Sequence, residues 1–200
     1  MCPQRTGAPM KEETDMLQNG PSTEDCLNLN VYTPAVGKNS GKRPVMVWFH
    51  GGGFAAGSGG ATSYDGRNLC EKHGVVLVTV THRLNIFGFL YLADLFGDAY
   101  ADSGNAGILD CVAALQWVHA NISNFGGDPN SVTIFGQSGG AGKVSTLLGM
   151  PPAKGLFHRA IAESGAAVRS GVKEEATAAA KRVMDALGVK TLSELQAVPD

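Results

Sequence analysis

Apolar and polar positions follow two rhythms along this chain. Leu27-Asn28-Leu29-Asn30-Val31-Tyr32 alternates strictly, the period of a strand with one wet face. Pro44 to Phe49 is continuously apolar, which predicts a strand buried on both faces, and Val75 to Thr81 is a second strand-length run. Val132 to Phe135 and Arg159 to Glu163 read as two further strands. Between them the spacing turns helical. Tyr64 to Lys72 is a short helix candidate, and Ile108, Val112, Leu115, Val118 and Ile122 share one face of a longer helix. Ala141 to Met150 carries Val144, Leu147 and Leu148, and Glu174 to Leu187 forms a last helix stopped by Gly188. Residues 1–25, the turn at 37–42, the connection Leu84 to Ala93 and the closing Gly126-Gly127-Asp128-Pro129 read as loops. Strands alternating with helices predict an α/β fold with a mainly parallel central sheet and flanking helices.

Composition adds bounds. Two hundred residues, 44% hydrophobic and 17% charged, suit one domain or part of a larger one. A net charge of −2 gives no global reason to expect nucleic acid or an anionic membrane as partner. No apolar run approaches the roughly 18 residues of a transmembrane segment, and Met1-Cys2-Pro3-Gln4 opens no signal segment. Of four cysteines, Cys70 and Cys111 fall in helix-like patterns and are expected to be free buried thiols. Cys2 and Cys26 lie in polar, loop-like sequence. Bridged, they would add roughly 3–4 kcal/mol and favour an oxidising compartment, secreted or periplasmic. No cysteine spacing fits a zinc site.

The candidate chemistry centres on Gly136-Gln137-Ser138-Gly139-Gly140, a G-x-S-x-G set between an expected strand and an expected helix. In that context a sharp turn strains the serine backbone and presents its hydroxyl at the end of the sheet. Positions two before and two after must be tiny, and Gly136 and Gly140 are. The amide of Gly139 would point toward an oxyanion on the attacked carbonyl. Upstream, His50-Gly51-Gly52-Gly53-Phe54 leaves a strand with backbone amides unobstructed. Gly51-x-Gly53-x-x-Ala56 has the outline of a dinucleotide fingerprint. That motif wants an acidic residue at the end of the next strand, where His82-Arg83 stands instead. An oxyanion loop of the HGGG type suits these residues better. A phosphate loop fails near the serine, because Gly142-Lys143 is followed by Val144 and Gln137 occupies its first glycine position.

Read together, several stretches resemble the type B carboxylesterase/lipase family, the α/β-hydrolases that include carboxylesterases and cholinesterases. They are Glu24-Asp-Cys-Leu-Asn-Leu-Asn30, Pro44 to Phe54, Arg83-Leu-Asn-Ile-Phe-Gly-Phe89, Gly104 to Asp110, Phe125-Gly-Gly-Asp-Pro129, the serine pentapeptide and Gly155 to Ile161. The resemblance implies an α/β-hydrolase fold and hydrolysis of small-molecule carboxylic esters through an acyl-enzyme, without metal or cofactor. It implies Ser138 as nucleophile and Gly52, Gly53 and Gly139 as oxyanion donors. It also implies a Cys2–Cys26 disulfide and a structural Arg83–Asp110 ion pair. Oligomeric state and ester preference are not implied.

The sequence departs from the pattern in two ways. The residue before the serine, usually glutamate, is Gln137, and Gly139 replaces alanine, which argues against a cholinesterase-like preference for cations. The family's acid and histidine lie far beyond the elbow, whereas 62 residues follow Ser138 and hold one histidine, His158, in the ordinary Leu-Phe-His-Arg segment. Residues 1–200 are therefore expected to be a partial α/β-hydrolase domain, lacking the opening strands and the C-terminal part, and weakly active or inactive alone. A non-catalytic interaction module on the same scaffold is the alternative. Such relatives usually lose the nucleophile or the oxyanion glycines, and both are kept here.

Overall fold

The computed structural model describes residues 1–4, 22–36 and 41–199, and the loop readings for 5–21 and 37–40 lie outside these. Five strands make one sheet: β1 (Asn28–Tyr32), β2 (Arg43–Phe49), β3 (Val76–Thr81), β4 (Gly127–Gln137) and β5 (Arg159–Glu163). Their order is β1-β3-β2-β4-β5, with β1 antiparallel to β3 and every other pair parallel. The helices are α1 (Arg67–His73), α2 (Asn85–Phe89), α3 (Ala93–Phe96), α4 (Ala106–Asn121), α5 (Gly139–Gly149), α6 (Lys173–Leu187) and α7 (Leu192–Gln196). Parallel neighbours need crossovers. Here α1 joins β2 to β3, α2 to α4 join β3 to β4, and α5 joins β4 to β5. The chain winds outward from β2 to β3, then returns to lay β4 on the other side of β2. The loops leaving β2 and β4 therefore diverge, and a crevice opens between their carboxyl ends.

The core packs Val45, Val47, Phe49, Val78, Val80 and Ile134 of the sheet against Leu115 and Val118 of α4 and Val144 and Leu147 of α5, all buried. β3 is buried at all six positions. β2 differs from the expectation of burial on both faces: Val45, Val47 and Phe49 are buried, while Met46 and Trp48 are half-buried. The second face is covered mainly by rings, with Trp48 tilted against Tyr64 and Phe135 at 5.2 and 4.9 Å. β5 is exposed along its whole length, as an edge strand with one sheet neighbour among the described residues.

Other boundaries moved for local reasons. β4 starts at Gly127, well before Val132, because Gly127 pairs with Arg43 ahead of an irregularity that resumes at Val45–Val132. Pro129 sits within that unpaired stretch, where its missing N–H breaks no ladder. The first helix candidate resolves into a tight turn at Thr62–Tyr64 and then α1, capped by Gly74 in the left-handed region. The Leu84–Ala93 connection contains α2, held closely against α4: a Cβ on Gly107 would lie 2.6 Å from the Phe89 ring. α6 begins at Lys173 and ends before Gly188, with φ 69°.

Two ties hold the scaffold near the sheet's carboxyl end. Asp110 accepts from Arg83 N, Nε and Nη2 at 3.0, 2.9 and 2.7 Å, fixing the end of β3 to α4. Cys2 and Cys26 are joined by a disulfide, while Cys70 and Cys111 are free and buried.

Candidate active site

Ser138 stands between β4 and α5 with φ 55° and ψ −121°, a region an L-residue occupies only under constraint. The constraint is visible on three sides. Ser138 N donates to Glu163 O at 2.9 Å, and Gly142 N donates to Ser138 O at 3.2 Å. Gly165, just past β5, approaches so closely that a Cβ there would meet the Ser138 backbone, 2.8 Å from its Cα. Strand and helix nearly touch beneath the turn: a Cβ on Gly136 would lie 2.6 Å from both Gly140 C and Phe49 O. The serine itself is exposed, with Gly136 and Gly140 buried below it.

The loop after β2 faces this turn. Gly52 and Gly53 take φ 86° and 58°, and a Cβ on Gly52 would run into the Ala56 carbonyl. Phe54 follows at φ 65°, and its carbonyl accepts from Asn85 N at 2.8 Å. Ala55 N and Ala56 N both donate to Gly52 O, at 3.0 and 3.1 Å, which closes the loop on itself. Gly139 meets Gly53 across the crevice: a Cβ on Gly139 would lie 2.7 Å from Gly53 N. Gly139 also opens α5, so its N–H belongs to the free N-terminal end of that helix. The backbones of Gly53 and Gly139 thus meet beside Ser138, with Gly52 one residue before in the same loop. Their mouth is a cleft of about 580 Å³ lined by Gly53, Phe54, Ser138, Gly139, Thr146 and Val168.

The histidines do not join it. His158 precedes β5 and is tied to the middle of β4, donating its N–H to Val132 O at 2.8 Å and accepting from Val132 N on Nδ1 at 3.2 Å. Val132 lies six residue steps along the chain from Ser138, about 20 Å at strand rise. His73 and His119 are exposed at the C-terminal ends of α1 and α4, which lead back to the amino ends of β3 and β4. His50 and His82 do lie at the carboxyl ends of β2 and β3, but both are wholly buried. Their Nδ1 atoms contact Gly51 O at 2.9 Å and Arg83 O at 2.8 Å, so each Nδ1 carries the proton and donates. The rings stack at 4.9 Å and 10°. Burial, with Lys143 nearby, pushes His82 down to about 3 and His50 well below the usual histidine range. Both are neutral structural rings.

Lys143 carried no weight in the sequence reading beyond failing a phosphate-loop pattern, yet its side chain is wholly buried one turn into α5. Its Nζ donates to His50 O at 2.8 Å and lies 5.3 Å from the Phe54 ring centroid. A lysine inside a run of otherwise small and apolar helix residues was the available signal.

A strained serine between strand and helix, at the switch point of a mainly parallel sheet, defines an α/β-hydrolase elbow. The Carboxylesterase family matches residues 1–199, and the chain belongs to that family. It is 45% identical over 189 residues to para-nitrobenzyl esterase of Bacillus subtilis (strain 168), covering 94% of this chain and 37% of that protein. To liver carboxylesterase of Sus scrofa it is 49% identical over 185 residues, 89% of this chain and 31% of the other. Among solved structures, a Geobacillus stearothermophilus carboxylesterase superimposes with TM-score 0.84 at 47% identity, covering 90% of this chain and 38% of that one. An esterase of Clostridium hathewayi that can hydrolyze aliphatic aromatic polyesters gives 0.86 at 43%, covering 99% and 40%. The chain spans about a third of the length of the curated relatives it matches.

Proposed function

We propose that residues 1–200 are part of an α/β-hydrolase domain and carry the nucleophile and oxyanion half of a carboxylic ester hydrolase. The observation that carries this reading is Ser138, exposed at φ 55° and facing the Gly52–Gly53 loop. In this reading the serine hydroxyl attacks the carbonyl of a small-molecule ester while its proton passes to a histidine. The five histidines of this sequence are placed elsewhere or locked in neutral stacks, so that base, and the acid orienting it, are assigned to sequence outside these residues. Amides of Gly52, Gly53 and Gly139 hold the tetrahedral oxyanion, each such donor being worth about 3–4 kcal/mol. The alcohol leaves with the proton, and water then attacks the acyl-serine and releases the acid. Every step is acid–base and nucleophilic chemistry of side chains and amides, so the reading requires no cofactor.

Hydrolysis of p-nitrophenyl butyrate tests it. The whole protein carrying this sequence is expected to turn the ester over, and Ser138→Ala to lower kcat at least about a thousandfold. The 200-residue chain alone is expected to be slower than the whole protein by several powers of ten, lacking the base. Equal rates for wild type and Ser138→Ala in the whole protein would sink the proposal.

A further inference from the structure

The mechanism above leaves one buried cation unused. Lys143 reaches from α5, the helix that begins with the oxyanion donor Gly139, to the loop that holds the other two. It touches that loop at both ends. Its ammonium donates to the carbonyl of His50, immediately before Gly51-Gly52-Gly53, and lies over the ring of Phe54, immediately after them. Both ends also pack closely against their other neighbours. The His50 carbonyl is wedged against α5, 3.1 Å from where a Cβ on Gly140 would stand, and Gly57 has no room for a Cβ beside the His50 ring. Phe54 also packs edge-on against Phe89 at 5.2 Å.

We propose that Lys143 is a positioning residue for the oxyanion hole: its ammonium clamps His50 O and the Phe54 ring, fixing the amides of Gly52 and Gly53 against that of Gly139. A buried ammonium is costly, and a neutral residue of similar volume would fill the same space. The charge-assisted bond to His50 O, about twice as strong as a neutral one, is what methionine cannot supply. The groups facing Nζ are His50 beyond β2, His82 beyond β3 and Cys111 on α4, with Asp110 of that helix already engaged by Arg83. Burial pushes Lys143 down to about 8 and Cys111 up to about 12, while both imidazoles stay neutral above pH 7. Between pH 7 and 10 the clamp therefore loosens through Lys143 alone.

The inference rests on the esterase reading, but its first test needs no turnover. In the full chain labelled with 15N-glycine and 13C-lysine, amide shifts of Gly52 and Gly53 are followed from pH 7 to 10 beside the Lys143 Cε. A shared midpoint near pH 8, absent in Lys143→Met, is the expected result. Glycine amides that stay fixed while Lys143 titrates, or that keep the step in the variant, would overturn it. If the variant does not fold, the wild-type titration decides alone. In the whole protein, Lys143→Met is expected to lower kcat for p-nitrophenyl butyrate at least about tenfold with KM within about twofold, because misaligned donors weaken only the transition state. An unchanged kcat would overturn the proposal. A wild-type protein without Ser138-dependent turnover would instead overturn the esterase reading and leave the amide titration to judge the clamp.

Discussion

Acidification from pH 6.5 to 4.5 is expected to destabilise the folded chain by about 2 kcal/mol through His82, with His50 acting in the same direction. His50 and His82 are wholly buried, stacked on one another and held neutral by burial and by the nearby Lys143 charge. Each has a folded-state pKa below its unfolded value of about 6.5. Under pH 6.5 the unfolded chain binds two protons that the folded chain refuses. The stabilisation is complete above that pH and is lost as pH falls, at up to about 2.7 kcal/mol per unit. Urea unfolding followed by circular dichroism at half-unit pH steps would show it. His82→Gln is expected to remove about half the slope. A stability that is level from pH 7 to 4.5 would mean that the two rings are hydrated or charged in the folded protein.

Gly140→Ala is expected to destabilise the chain by at least about 3 kcal/mol, because the new methyl has nowhere to go. A Cβ at this position overlaps the Phe49 carbonyl oxygen and lies 3.1 Å from Phe49 C and His50 O, all of them backbone atoms. No rotamer relieves such a contact. α5 would have to lift from β2, carrying with it Ser138, Gly139 and Lys143. Gly149→Ala at the other end of α5 is the control, since its Cβ would meet nothing within 4 Å. There the expected change is neutral or stabilising by up to about 1 kcal/mol. Urea midpoints for both variants check the pair, and equal stability would contradict the close approach of helix and strand at the elbow.

Much of this was legible in the residues. Alternation and apolar runs located β1, β2 and β3, and the Gly-x-Ser-x-Gly context located the turn at Ser138, because short-range sterics dictate both. Burial was less legible than position. Continuous apolar sequence in β2 suggested two covered faces, but cover depends on what packs above, and rings half-cover one side. α7 was missed although Thr191-Leu192-Ser193-Glu194 spells a capping box, which the structure forms in full. Its five residues were too short for periodicity to reveal. The stacked histidines and Lys143 were invisible for a different reason: each lies on a separate element, and only the sheet order brings the ends of β2 and β3 and the start of α5 together.

The central claim is that Ser138 is the nucleophile, and covalent trapping tests it most directly. The whole protein carrying this sequence would be treated with diisopropyl fluorophosphate, digested, and its modified residue located by tandem mass spectrometry. The account predicts one phosphorylated site, Ser138, formed in step with loss of esterase activity and absent in Ser138→Ala. Inactivation with the adduct on any other residue, or full activity with Ser138 completely modified, would contradict it.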